Sequence, residues 1–342
     1  MEEDLSSGLD AEAPTGLGGL TVRKKLGFRA KSLRNLLKMG HCAPAVMKTS
    51  LRLFGPREEW PVKAAAGLPG GIGDTGFECG GITSPLILFG LRYGLRDLRE
   101  GLPLVFHVGH DHFRQFTDRN KTPLCREIRG DNYRLTRCIR AVCCAPEIAA
   151  TAFGRAGAGA IEGERLEAYA LLYSHMAAGG FHCSHQVLDR VGVAIPSSPG
   201  LLDATSGFLG GTLLKGMTCS AYAAGVMALG LRMCEIEDSF TRVIRMIVLM
   251  KTGGNAFADH INKFNRVMNL GEGLAGWFAG QFGSTQCQAV TGCDFSSLDS
   301  VRRYIETDGL QRCRDIADKV ADQVLRLSRV AGPRGFEPRS DG

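Results

Sequence analysis

Cysteine is the residue type that stands out for chemistry in this chain of 342 residues. There are twelve, and eight of them fall into two matching sets of four. His41-Cys42-Ala43 is followed 37 residues on by Cys79, and His182-Cys183-Ser184 is followed 36 residues on by Cys219. The stretch before the second cysteine repeats as well. Gly67–Cys79 reads GLPGGIGDTGFEC and Gly207–Cys219 reads GFLGGTLLKGMTC. Further along, Cys125-Arg-Glu-Ile-Arg-Gly130 answers Cys287-Gln-Ala-Val-Thr-Gly292, and Leu135–Cys138 answers Leu310–Cys313. The chain is therefore a duplication, with Cys42, Cys79, Cys125 and Cys138 in copy 1 and Cys183, Cys219, Cys287 and Cys313 in copy 2. The fourth pairing is the loosest, since Cys143 and Cys144 lie close to Cys138. Cys234 and Cys293 have no counterpart.

Thiolates are soft ligands that suit iron–sulfur clusters, zinc and copper(I), and four per unit is the count for a cluster or a structural zinc. Tight Cys-x-x-Cys knuckles are missing, so the fold itself must gather the ligands. Cys79 and Cys219 end Gly-rich loops, whose backbone N–H groups can point at anionic sulfur. Gly70, Gly71, Gly80, Gly210 and Gly211 are the cofactor-binding candidates on that ground. The same placement suits a reactive thiol or a dithiol–disulfide pair, with Cys42, Cys79, Cys183 and Cys219 as candidates. Buried thiols that merely pack are the third alternative.

The elements that must position these residues read as helices. Ala30–Met39 and Ala168–Ala178 carry apolar residues at helical spacing, and each ends at a Gly just before its His-Cys pair. Cys42–Phe54 and Cys183–Val191 follow as second helices. Thr83–Leu95 and Ser220–Cys234 are apolar helices after the loops, and Val301–Ile305 and Leu310–Val330 are helical. Leu102–His107 is the one stretch that alternates like a strand. The class expected is mostly α: two tandem pseudo-repeat helical units with Gly-rich loops. The divisions are a tail at 1–29, a first unit at 30–153, a Gly/Ala-rich linker at 154–164, a second unit at 165–330 and a tail at 331–342.

This arrangement of a His-Cys start, a Gly-rich loop closing on Cys-Gly-Ala-x-x-Gly, a Cys before a Gly and a final Cys opening a helix resembles the C_GCAxxG_C_C family. The resemblance covers about Ala30–Phe153 and Ala168–Val330. It implies redox activity on single four-cysteine units, here in tandem. Copy 1 departs from the motif at Gly81 and Ser84, and copy 2 at Ser220 and Ala224, always with small residues.

Other candidates are weaker. His41 and His182 abut the first cysteine of each set and fit ligands, proton donors or core residues. His107, His110 and His112, with Asp111 beside them, form a cluster private to copy 1 that fits a metal site or a solvated loop. The loop Gly70–Gly76 lacks the Gly-Lys-Ser/Thr of a phosphate loop, and no Cys-x-x-Cys-His is present for c-type haem. Thr21–Lys38 holds seven Lys or Arg and no acid; such a run attracts anionic surfaces or is a solvated helix face. Its single aromatic, Phe28, argues against nucleic acid. The N-terminal Met-Glu-Glu-Asp is no signal sequence, and no run of about 18 apolar residues offers a membrane span. A cytoplasmic location is expected, where disulfide staples are rare. The function expected is electron transfer or a redox accessory role on a thiolate-bound centre, with an iron–sulfur cluster first and zinc second. The alternatives are a metal-free thiol–disulfide oxidoreductase and a non-catalytic scaffold. The partner would be another redox protein, and an oligomer stays open.

Overall fold

The computed structural model describes residues 21–54, 58–94, 101–130, 135–155, 164–179, 182–192 and 200–331. Among them are α1 (Val22–Met39), α2 (Cys42–Phe54), α3 (Trp60–Ala64), α4 (Gly80–Tyr93), α5 (Gly101–Asn120), α6 (Cys125–Arg129) and α7 (Leu135–Gly154) in copy 1. Copy 2 has α8 (Glu164–Ala178), α9 (Cys183–Val191), α10 (Ser220–Met233), α11 (Phe240–Thr252), α12 (Lys263–Phe282), α13 (Cys287–Thr291), α14 (Leu298–Glu306) and α15 (Gly309–Ala331). Short 3-10 turns at Ala65–Gly67 and Asp203–Phe208 precede the two Gly-rich loops.

The mostly α reading holds, with corrections at the edges. Helix α1 starts at Val22, inside the segment expected to be a tail, because Thr21 caps it by accepting the Lys24 N–H. It ends where Gly40 turns left-handed and returns its N–H to the Leu36 carbonyl at 2.7 Å. Leu102–His107 is no strand; it is the start of α5. Its alternation was a short apolar run, which cannot by itself separate a strand from a buried helix. Of the apolar stripe that the spacing predicts on α15, Ile316, Val320 and Val324 are buried and Leu327 is half-buried. Most of the linker and all but Ala331 of the C-terminal tail lie outside the described residues.

The Gly-rich loops are two superposable left-handed turns. Residues 70–74 all have positive φ, and so do residues 210–214. Three matching backbone bonds close each loop: 72 to 68, 73 to 67 and 76 to 70 in copy 1, and 212 to 208, 213 to 207 and 216 to 210 in copy 2. A non-glycine residue pays roughly 1–2 kcal/mol for this backbone, yet Ile72, Asp74, Thr212, Leu213 and Leu214 all adopt it. Strain kept in both copies marks a geometry the rest of the structure enforces.

The copies interlock instead of lying side by side. Helix α4 packs on the 3-10 turn of copy 2, and α10 packs on α3 and the 3-10 turn of copy 1. The contact is reciprocal: a Cβ on Gly90 would strike the Asp203 carbonyl oxygen, and one on Gly230 would strike the Lys63 carbonyl oxygen. Polar links cross the same seam. Glu78, fully buried, accepts from the Thr218 N–H at 3.1 Å and from the Thr218 and Thr212 hydroxyls at 2.5 Å each. The Tyr222 hydroxyl donates to the Ile72 carbonyl at 2.9 Å. One apolar core runs through both copies. Gly90→Ala and Gly230→Ala should each lower stability by about 1–3 kcal/mol, the usual cost of overpacking, measured by urea unfolding. Gly273→Ala, where a Cβ meets nothing within 4 Å, should cost nothing measurable.

Candidate redox site

Each set of four cysteines is gathered by the same parts. The end of the Gly-rich loop and the segment before the third cysteine form an isolated antiparallel bridge, Glu78 with Leu124 in copy 1 and Thr218 with Gln286 in copy 2. Around it the Cys79 N–H donates to Pro123 O at 2.9 Å and the Cys125 N–H to Phe77 O at 2.6 Å. In copy 2 the Cys219 N–H donates to Thr285 O at 2.8 Å and the Cys287 N–H to Met217 O at 2.6 Å. This two-residue ladder sets the second and third cysteines of each copy beside one another. The first cysteine opens α2 or α9. The fourth, Cys138 or Cys313, lies near the start of α7 or α15.

All eight cysteines named from the sequence thus arrive in two places. The charges of Cys125, Cys42 and Cys138 all act on Cys79, and those of Cys219, Cys313 and Cys183 all act on Cys287. Every cysteine that acts on one of these two belongs to the same copy, so the chain holds two separate sites. Cys138 acts on the set, whereas Cys143 and Cys144 sit farther along α7, beside Arg29 and Arg119. Cys79, Cys125, Cys219 and Cys287 are buried, and Cys42, Cys138, Cys183 and Cys313 are half-buried.

Burial pushes every one of these thiols up. Cys42 rises to about 11, through burial and then the charge of Cys138, against the backbone N–H of Gly70. Cys219 rises to about 12, through burial, opposed by backbone N–H groups of Tyr222 and Ala221. Cys79 and Cys287 rise further, through burial and then their neighbours. Left to themselves, four such groups remain neutral thiols at physiological pH. To become thiolates together they need positive charge placed among them.

The surroundings offer N–H donors to sulfur. Cys79 caps α4 and accepts the Gly81 N–H at 3.5 Å. Gly70 does aim its N–H at sulfur, though at Cys42 and not at the cysteine that ends its own loop. Gly71 and Gly80 have packing roles. A Cβ on Gly71 would run into the Phe77 backbone, and one on Gly80 would lie 2.8 Å from the Ala43 Cβ. In copy 2, a Cβ on Gly210 would run into Leu214, and one on Gly211 would lie 2.6 Å from the Cys287 Cβ. Gly211 leaves room for the thiol.

The contacts of His41, His112 and His182 are with groups other than sulfur. His41 bonds through Nε2 to Asn265 Oδ1 at 2.7 Å, and burial lowers it to about 4. It is a core residue joining the copies. His182 is buried and stacks on His185 with centroids 4.2 Å apart. His107, His110 and His112 lie on α5, not on a solvated loop. His112 is fully buried and donates through Nε2 to the Gly81 carbonyl at 2.9 Å, and Asp111 pairs with Arg114. No common ligand position joins them. His112 instead braces the turn that Cys79 caps.

Three contributors had no sequence signal because they have no counterpart in the other copy. The Tyr304 hydroxyl donates to Cys313 Sγ at 3.1 Å. Cys293 is a fifth thiol of the copy 2 site, bonded to Ser300 and acting on Cys287. Arg129, paired with Asp74 at 2.7 Å, lowers Cys125 and Cys138 against the burial that raises them.

Among the described residues no three His, Cys, Asp or Glu side chains are grouped so that they could hold a metal ion. No described helix is long and apolar enough to cross a membrane. The family model described as "Putative redox-active protein (C_GCAxxG_C_C)" matches the chain twice, at residues 40–152 and 181–327. No curated protein and no solved structure matches it.

Proposed function

Starting from the fact that the chain belongs to the C_GCAxxG_C_C redox family and carries its unit twice, we propose that each copy holds a buried four-thiol redox centre, with an iron–sulfur cluster as the group it binds. The observation that carries this reading is the convergence, twice over, of four cysteines from four separate elements, the second and third of each set joined by the same ladder.

The donor chemistry fits such a cluster: four thiols, burial and N–H donors to sulfur. Four thiols are also the ligand set of a structural zinc, which metal analysis distinguishes from a cluster. Cys42, Cys79, Cys125 and Cys138 would hold one cluster, and Cys183, Cys219, Cys287 and Cys313 the other. Bound, the group supplies one-electron transfer. The chain's own residues exclude water, supply the thiolates and tune them, through the Gly81 N–H in copy 1 and the Tyr304 hydroxyl in copy 2.

Anaerobic purification followed by iron, sulfide and zinc analysis with visible and EPR spectra tests the proposal. A coloured protein with iron and acid-labile sulfide is expected. A colourless, metal-free protein after that handling would sink it. Within the same reading, Tyr304→Phe removes a hydrogen bond to sulfur. It should lower the potential of one centre by tens of millivolts, on the order of a charged hydrogen bond, and leave the other unmoved in a redox titration.

A second reading rests on the coupled, half-buried pair Cys42 and Cys138. The two thiols would pass two electrons and two protons to a partner protein's disulfide, forming their own disulfide as the partner's becomes a dithiol. Their raised thiol pKa works against the attacking thiolate this needs. Alkylation mass spectrometry across a redox titration separates the readings: a Cys42–Cys138 linkage favours this one.

A further inference from the structure

Exposed apolar side chains are not scattered over this protein. Of the seven large hydrophobic residues that stand exposed among the described residues, six lie on two helices: Leu26, Leu33 and Leu37 on α1, and Phe240, Ile244 and Val248 on α11. The spacing on each helix puts them in a line, at i, i+7 and i+11 on α1 and at i, i+4 and i+8 on α11. The core-facing residues of α1 (Phe28, Ser32, Asn35 and Met39) and of α11 (Val243 and Met246) occupy other faces. These are second, unpartnered apolar stripes on helices already packed.

The two helices are neighbours. Helix α11 packs on α1, the Ser239 N–H donates to the Lys38 carbonyl at 2.9 Å, and the Lys38 ammonium sits 5.5 Å above the Phe240 ring. The α1 stripe, ending at Leu37, therefore reaches the start of the α11 stripe. Helix α11 lies in the longer copy 2 connection between the second and third cysteines and has no counterpart in copy 1, so the duplication leaves this face only once.

Charge identifies the occupant. Neither helix contains an acid, while α1 has seven Lys or Arg and α11 has Arg242, Arg245 and Lys251. Acids from the surroundings answer a few of these: Glu147 pairs with Arg29, Asp238 with Lys38, and Glu237 with Arg242. Arg23, Lys24, Lys31, Arg34, Arg245 and Lys251 are exposed and have no carboxylate partner among the described residues. Leucine, isoleucine and phenylalanine stripes flanked by uncompensated Lys and Arg match the interface of an anionic bilayer, where apolar side chains enter the acyl boundary and cations meet the headgroups.

We propose that the α1–α11 face docks the protein on an anionic lipid surface, lying on the bilayer without crossing it. The proposal stands on these two helices alone and is independent of what the cysteines bind. The test uses the full chain in co-sedimentation with vesicles of phosphatidylcholine alone and of phosphatidylcholine mixed with phosphatidylglycerol. Binding to the mixed vesicles, absent on the neutral ones and falling with added salt, is expected. Two surface variants, the double Ile244→Ser, Val248→Ser and the double Lys24→Glu, Lys31→Glu, should each bind about tenfold or more weakly, with an unchanged circular dichroism spectrum. Equal binding to neutral vesicles, no binding, or full binding by both variants would overturn the proposal. So would self-association or capture of an acidic protein by this face with no vesicle binding, because the face would then be a protein interface.

Discussion

Cys79→Ser should remove about half of the iron and sulfide bound per chain, Cys219→Ser should remove the other half, and the double variant should be nearly empty. Each of these residues stands at the junction of its site: it follows the left-handed loop, occupies the N-cap position of the next helix and borders the third cysteine through the bridge. Serine is compatible with the N-cap position and close in volume but offers a poor ligand for iron. The halves should be separable because the thiols that act on one another all lie within one copy. Cys143→Ser and Cys144→Ser are the matched controls and should leave iron content unchanged. If either single variant empties both sites, the sites are not independent. If neither changes the content, these thiols are not ligands.

A second large effect is expected in alkali. In the metal-free protein Cys219 is held at about 12, against an ordinary thiol value of 9.0. Above pH 9 the unfolded chain sheds this proton while the folded chain keeps it, so the unfolded state binds fewer protons and stability falls as pH rises. The stability is whole below pH 9 and is lost through about pH 12. Three units correspond to roughly 4 kcal/mol for this group. Cys42, at about 11, acts in the same direction. Urea unfolding of the metal-free protein at a series of pH values should show a steep alkaline loss, and Cys219→Ala should flatten it. A stability curve equally steep in that variant would remove Cys219 from the explanation. With thiolates already bound to iron, the loaded protein should lack this loss.

Duplication singled out eight of the twelve thiols, and the fold brings those eight into two groups of four. Spacing alone could not choose Cys138 over Cys143 and Cys144. That choice depends on where α7 begins, and the helix places Cys138 near its N-terminus and carries the other two away along its length. The helices around the repeated motifs were legible from apolar periodicity and Gly stops. Helix α5 was not, because Leu102–His107 is short, apolar and rich in strand formers, and only packing decides such a run. The His107, His110 and His112 spacing looked like ligands, yet on a helix it turns the three rings to different surroundings, and His112 is taken up by the Gly81 carbonyl. The left-handed loops were half visible in Gly70-Gly71 and Gly210-Gly211. Ile72, Thr212 and Leu213 gave no sign, since such residues enter that backbone only under tertiary constraint.

The interlock of the copies was invisible locally, although its marks stand in the sequence. Gly90 and Gly230 match between copies, and each lets a helix touch the other copy's backbone. Repeated glycines read as loop geometry can equally be close helix contacts, and only the partner's position distinguishes the two. Tyr304 and Cys293 show the opposite limit. They belong to one site, have no counterpart in the other copy, and so could not be found by comparing the copies.

On the proposed function, each set of four cysteines encloses one iron-bearing centre. An anomalous difference map at the iron edge, from crystals of the anaerobically purified protein, tests it most directly. The expected result is two regions of density per chain, one among Cys42, Cys79, Cys125 and Cys138 and the other among Cys183, Cys219, Cys287 and Cys313. Density at only one set, at neither, or at the histidines of α5 would contradict it.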